Sequence, residues 1–113
     1  MSDCIDAFFE SWQITETEPR LAKITSTVTS NIQYHDPRTP ETLNGIEALN
    51  SYLAMFSSNA PGWSAKVIKS DTISKVTRVT VAFSGTGPDG NEQVQLGQYF
   101  IEKDGDLLSR VVG

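Results

Sequence analysis

The stretch KVTRVTVAFSGTGPDGNEQVQLGQYFIEKDGDLLSRVV, residues 75–112, decides the fold. Val79, Val81 and Phe83 alternate there with Arg78, Thr80, Ala82 and Ser84. A period of two is the mark of a strand with one buried face. Pro88-Asp89-Gly90-Asn91 and Asp104-Gly105 interrupt the alternation as hairpin turns, with glycine where the backbone needs a positive φ. The pattern predicts strands at about 75–85, 92–103 and 106–112, and a further one just upstream at about 63–72.

Before Gly62 the period is 3.6. Ile5, Phe8, Phe9 and Trp12 form one stripe of an amphipathic helix, with Asp3, Asp6 and Glu10 on its other face. A second helix is predicted from Thr15, with Glu18 three residues on as its capping partner and Leu21, Ile24 and Val28 as its apolar side. A third is predicted from Asn44 and Glu47, with Ile46, Leu49, Leu53 and Phe56 at helical spacing. Between them Asn31–Asp36 reads as a short strand, and Pro37 and Pro40 force an extended loop. Helices first, then an antiparallel meander with one early strand, make an α+β protein. The 113 residues suffice for one domain, 1–113.

Composition narrows the function by exclusion. The net charge is −5, and residues 1–47 hold 8 acids against 3 bases while the remainder is balanced. With no Lys/Arg cluster to neutralise phosphates, nucleic acid is excluded as a partner. Cys4 is the only cysteine, so an internal disulfide is impossible. Cys, His and acids do not gather at ligand spacing, and no glycine fingerprint for a nucleotide occurs, so neither metal nor cofactor is expected. Acids stand where a signal peptide carries bases, and the longest apolar run, Tyr52–Phe56, is too short for a bilayer. A soluble cytoplasmic protein with no membrane role is the expectation.

Two polar residues fall on apolar faces. Asp36 shares its strand face with Ile32 and Tyr34, opposite Gln33 and His35. Gln98 shares a face with Val94, Leu96 and Phe100, opposite Gln93, Gln95, Gly97 and Tyr99. A polar group turned inward needs a partner or a ligand to offset desolvation. A carboxyl group held away from water favours its neutral form, an environment that suits a general base or acid. A plainer reading stands beside this one: Asp-Pro is a common turn opener, and Gln98 can serve a single backbone group. His35, the sole histidine, belongs on the surface side of its strand.

The chain resembles the SnoaL-like branch of the nuclear transport factor 2-like superfamily. The resemblance is carried by Trp12-x-x-Thr15-Glu16-x-x-x-Arg20, Tyr34-x-Asp36-Pro37, Gly45-Ile46-x-Ala48-Leu49, Pro61-Gly62-Trp63, Pro88-Asp89-Gly90, Gly97 and Asp104-Gly105-Asp106, in family order. It implies three N-terminal helices packed into a curved, mostly antiparallel sheet: a cystatin-like cone with a pocket at one end. In ketosteroid isomerase, a member of that superfamily, the general base is the aspartate of an Asp-Pro pair after the first strand, which Asp36-Pro37 matches. Its second aspartate falls at or near Gln98. Its oxyanion tyrosine lies on the first helix, where this chain has Trp12 and Phe8 and no tyrosine.

Three functions remain open. One is a small-molecule-binding protein whose apolar pocket is lined by Phe8, Trp12, Tyr34, Phe56 and Phe100, with Asp36 and Gln98 orienting the ligand. A second is a cofactor-independent isomerase, cyclase or lyase acting on a small apolar carbonyl compound, with Asp36 as base and Gln98 as oxyanion donor. A third is an interaction domain with a vestigial pocket, dimerising through a sheet face that presents Arg78, Thr80, Ala82 and Ser84. A homodimer fits each of them.

Overall fold

The computed structural model describes residues 4–113. Asp3, expected on the polar side of the first helix, lies outside them. Helix α1 (Cys4–Glu10) runs into a 3-10 turn at Ser11–Gln13. Then follow α2 (Thr17–Thr25), β1 (Val28–His35), β2 (Leu43–Asn44), α3 (Ile46–Asn59), β3 (Ser64–Ile73), β4 (Val76–Thr86), β5 (Glu92–Asp104) and β6 (Leu107–Val112). The six strands form one curved, unclosed sheet in the order β2-β1-β6-β5-β4-β3. Every neighbouring pair is antiparallel except β1 with β6, which run parallel. The class is α+β, though the helices are not all N-terminal, because β1 and β2 come between α2 and α3.

The apolar stripe of the first helix is buried throughout: Ile5, Phe8, Phe9 and Trp12 lie inside with Ile32 and Tyr34 of β1, Leu49 and Leu53 of α3, Val79 and Val81 of β4, and Tyr99 and Ile101 of β5. Each aliphatic side chain fully withdrawn from water contributes roughly 2 kcal/mol. The core is dominated by rings. The Trp12 indole packs with ring centroids 6.0 Å from Tyr34, 5.1 Å from Phe56 and 5.5 Å from Phe83.

The helix starts differ from the expected caps. Glu16, extended, precedes α2, and no side chain caps it. The carbonyls of Ile14 and Thr15 instead accept from the Nη1 of Arg20, at 2.9 and 3.4 Å, and Arg20 Nε donates to Asn50 at 2.8 Å. A buried guanidinium thus fastens this turn where a threonine cap was expected. Helix α2 stops at Thr25, and Val28 opens β1. At α3 the residue before the helix is Gly45 at φ +92°, a conformation glycine adopts without cost, while Asn44 pairs with Gln33 in the sheet.

Candidate functional site

Strand β1 ends at His35, and Asp36 is the first residue of the loop beyond it. The alternation holds: Ile32, Tyr34 and Asp36 are buried and Gln33 is exposed. Asp36 retains only 3% of its exposure, yet both carboxylate oxygens are satisfied. Oδ1 accepts from the backbone N–H of Arg38 at 2.8 Å and of Thr39 at 3.1 Å. Oδ2 accepts from the Tyr34 and Tyr52 hydroxyls, each at 2.6 Å. The Thr39 hydroxyl closes the turn by donating to the Asp36 carbonyl at 3.0 Å. Asp36 is therefore a loop cap and the hub of a two-tyrosine network at once. Four donors offset the desolvation that its place on an apolar face entails.

Both phenols are held protonated. Burial, first, and then the Asp36 carboxylate push the Tyr52 hydroxyl well above its ordinary value. Tyr34 is raised by burial, then by Tyr99 and Asp36. Tyr99 is raised by burial above all.

Tyr52 connects this network to a cavity of about 340 Å³ between α3 and the sheet. Helix α3 contributes Tyr52, Met55, Phe56 and Asn59, with Ala60 just beyond it. Opposite stand Trp63 before β3, Phe83 of β4, Gln95 of β5 and Arg38 of the loop. Two glycines shape the wall. A Cβ on Gly85 would lie 2.5 Å from the Trp63 ring, so the indole lies directly over that glycine. Gly97, paired with Val81, leaves room for Phe83, whose ring would be 3.3 Å from an added Cβ. The Arg38 guanidinium sits over the Phe83 ring, 5.9 Å from its centroid.

Of the residues expected at the site, Phe56 lines the cavity, and Asp36 meets it through Tyr52 and lines a smaller adjoining cleft. Phe8, Trp12 and Tyr34 belong to the core. Trp12 lies one layer down, against the rings of Tyr52, Phe56 and Phe83, and among the described residues its indole N–H has no hydrogen-bond partner. Gln98 and Phe100 are corrected. Thr80 pairs with Gln98 and Val79 with Tyr99, which puts Gly97, Tyr99 and Ile101 on the inner face and Val94, Leu96, Gln98 and Phe100 on the outer one. The apolar count along β5 favoured the wrong face because its outer face is the more apolar over this span. Gln98 meets the site only at the border of a smaller cleft, about 190 Å³, that also touches Asp36. His35 is half-buried in a separate polar groove with Gln33, Asn44 and Arg110.

Sequence reasoning missed Tyr52, Trp63, Phe83 and Gln95, and offered Arg38 and Arg20 only as candidate ion-pair partners of Asp36, a role that neither fills in the structure. Tyr52 stands four residues before Phe56 and so on the same side of α3, a signal that was legible. Among the described residues no three His, Cys, Asp or Glu side chains converge to hold a metal, and no helix is long and apolar enough to cross a membrane.

Three helices packed against a curved, unclosed six-stranded mixed sheet have the α+β arrangement of the nuclear transport factor 2-like fold. No family model and no curated protein matches the chain in sequence. Solved structures do match. A candidate isomerase of the SnoaL-like family from Agrobacterium tumefaciens superposes with a TM-score of 0.80 at 17% identity, over 96% of this chain and 91% of that one. A ketosteroid isomerase-like protein from Catenulispora acidiphila, in complex with trimethylamine, superposes at 0.79 and 11% identity, over 99% and 84%. A candidate SnoaL-like polyketide cyclase from Jannaschia superposes at 0.75 and 13%, over 96% and 78%. The likeness is one of fold.

Proposed function

We propose that this protein binds a small, largely apolar molecule in the cavity between α3 and the sheet, and that it does so as a homodimer. One observation carries the reading: Tyr52 lines the cavity while its hydroxyl proton is committed to Asp36 at 2.6 Å. A phenol so fixed offers its lone pairs to the cavity. It orients a ligand that has a donor group at that end. Asn59, Gln95 and Arg38 replace Gln98 as the remaining polar contacts. Such a site, mostly apolar with a few directed polar groups, is the usual form of a small-molecule pocket. The Catenulispora neighbour, a complex with the small ligand trimethylamine, is in keeping with a binding role for the fold.

Acid–base catalysis by Asp36 is the weaker reading. Both its oxygens are engaged, and the larger cavity reaches it through Tyr52 rather than directly. A thermal-shift screen of apolar ketones, lactones and hydroxylated rings tests the proposal, since a ligand of the native state raises its melting temperature. Compounds that stabilise the parent should fail to stabilise Ala60→Trp, which fills the cavity. Equal stabilisation of both would place the binding elsewhere.

A further inference from the structure

We infer that the cavity selects an anion: a small amphipathic carboxylate whose charged group pairs with Arg38 while its apolar body lies among Phe56, Trp63 and Phe83. The inference rests on the cavity being a ligand site. It follows from what the four arginines do. Arg20 is buried and bonded to Asn50 and to two carbonyls. Arg78 pairs with Asp71 at 3.4 Å and Arg110 with Glu102 at 3.2 Å. Arg38 alone, among the described residues, has a guanidinium with neither an ion pair nor a hydrogen bond.

It sits over the face of Phe83. A guanidinium that lies over a ring and makes no hydrogen bond keeps its N–H groups available, in the fork that matches a carboxylate. None of the other side chains that line the cavity is charged. Asp36, which shares the smaller adjoining cleft with Arg38, has both oxygens engaged by four donors and makes no ion pair with it. On a chain of net charge −5, the one charged side chain that lines this cavity is a cation. An aromatic wall by itself would also accept an ammonium group. Arg38 opposes that occupant and favours an anion of the same size.

Three probes of one shape separate the cases: 2-naphthoate, 2-naphthamide and 2-naphthylmethylammonium, titrated calorimetrically into the parent, Arg38→Gln, Arg38→Lys and Ala60→Trp. The parent should bind the naphthoate at least about threefold more tightly than the amide, the scale of one partly solvated charge pair, and the ammonium most weakly. Arg38→Gln should erase the difference between naphthoate and amide, and Arg38→Lys should restore part of it. Added salt should weaken the naphthoate alone. If naphthoate and amide bind the parent equally, or Arg38→Gln keeps their difference, the anion inference falls while the pocket stands. If no probe binds the parent, or Ala60→Trp binds all three unchanged, both fall.

Discussion

Asp36 answers two demands with one side chain. Oδ1 fixes the loop through two backbone amides, and Oδ2 holds two phenols. In Asp36→Asn one carboxamide end is a donor, and it must face either the two amides or the two hydroxyls. Donor then meets donor, so the variant should lose about 2 kcal/mol of unfolding free energy, measured in urea. An Asn variant as stable as the parent would sink this account of the hub. Tyr52→Phe removes a single bond and should cost about 1 kcal/mol, with ligand binding weakened more than the fold. The tyrosines also set an alkaline limit. Their folded values lie above the unfolded one near 10, so above that pH the unfolded chain binds fewer protons than the native one. Stability is therefore full below about pH 10 and falls as pH rises beyond it. Absorbance at 295 nm should show phenolate appearing together with unfolding. Three phenols ionising in a chain that is still folded would count against the buried network. Asp36 was legible in the sequence because alternation before a proline leaves little choice of side. Tyr52 was legible as a neighbour of Phe56 on α3 but not as a partner of Asp36, which lies 16 residues away with no local pattern joining the two.

At the scale of elements, periodicity was a good guide wherever one side of an element is plainly apolar. The stripe Ile5–Trp12 and the alternation of β4 are of that kind. It failed on β5, where Val94, Leu96 and Phe100 face outward and Gly97, a residue without a side chain, marks the inner face. The helix caps failed for a tertiary reason: Arg20 reaches across from inside the fold, and a glycine of positive φ starts α3. The β3–β4 edge carries a prediction of its own. Because Trp63 lies over Gly85, Gly85→Ala should drive the indole out of the cavity wall. Its fluorescence should shift to the red and affinity for any cavity ligand should drop, with Gly97→Ala giving a smaller effect through Phe83. An unshifted emission spectrum would contradict the packing of that wall.

For the molecule as a whole, the outer face of the sheet is conspicuous. Leu96 is 66% exposed and Phe100 49%, with Val94 beside them on the same face. Neighbouring positions of β4 are Thr80, Ala82 and Ser84, small enough for a second sheet to approach. The homodimer proposed above should use this surface. Sedimentation at tens of micromolar (on the order of ordinary assay concentrations) should give a dimer for the parent and a monomer for Leu96→Glu. A monomeric parent would rule the interface out. The parallel pairing of β1 with β6 has a different consequence, one of time. Apart from the two-residue β2, residues 28–35 find their sheet partner in residues 107–112, near the other end of the chain. Contacts that distant close late, after the local hairpins β3–β4 and β4–β5 have formed. Asp36 hangs from β1, and Gly113, whose amide donates to the His35 carbonyl, follows β6. A refolding chain should therefore acquire its hairpins first and the β1–β6 ladder, with the C-terminal Gly113 seated on His35, only in the slowest phase.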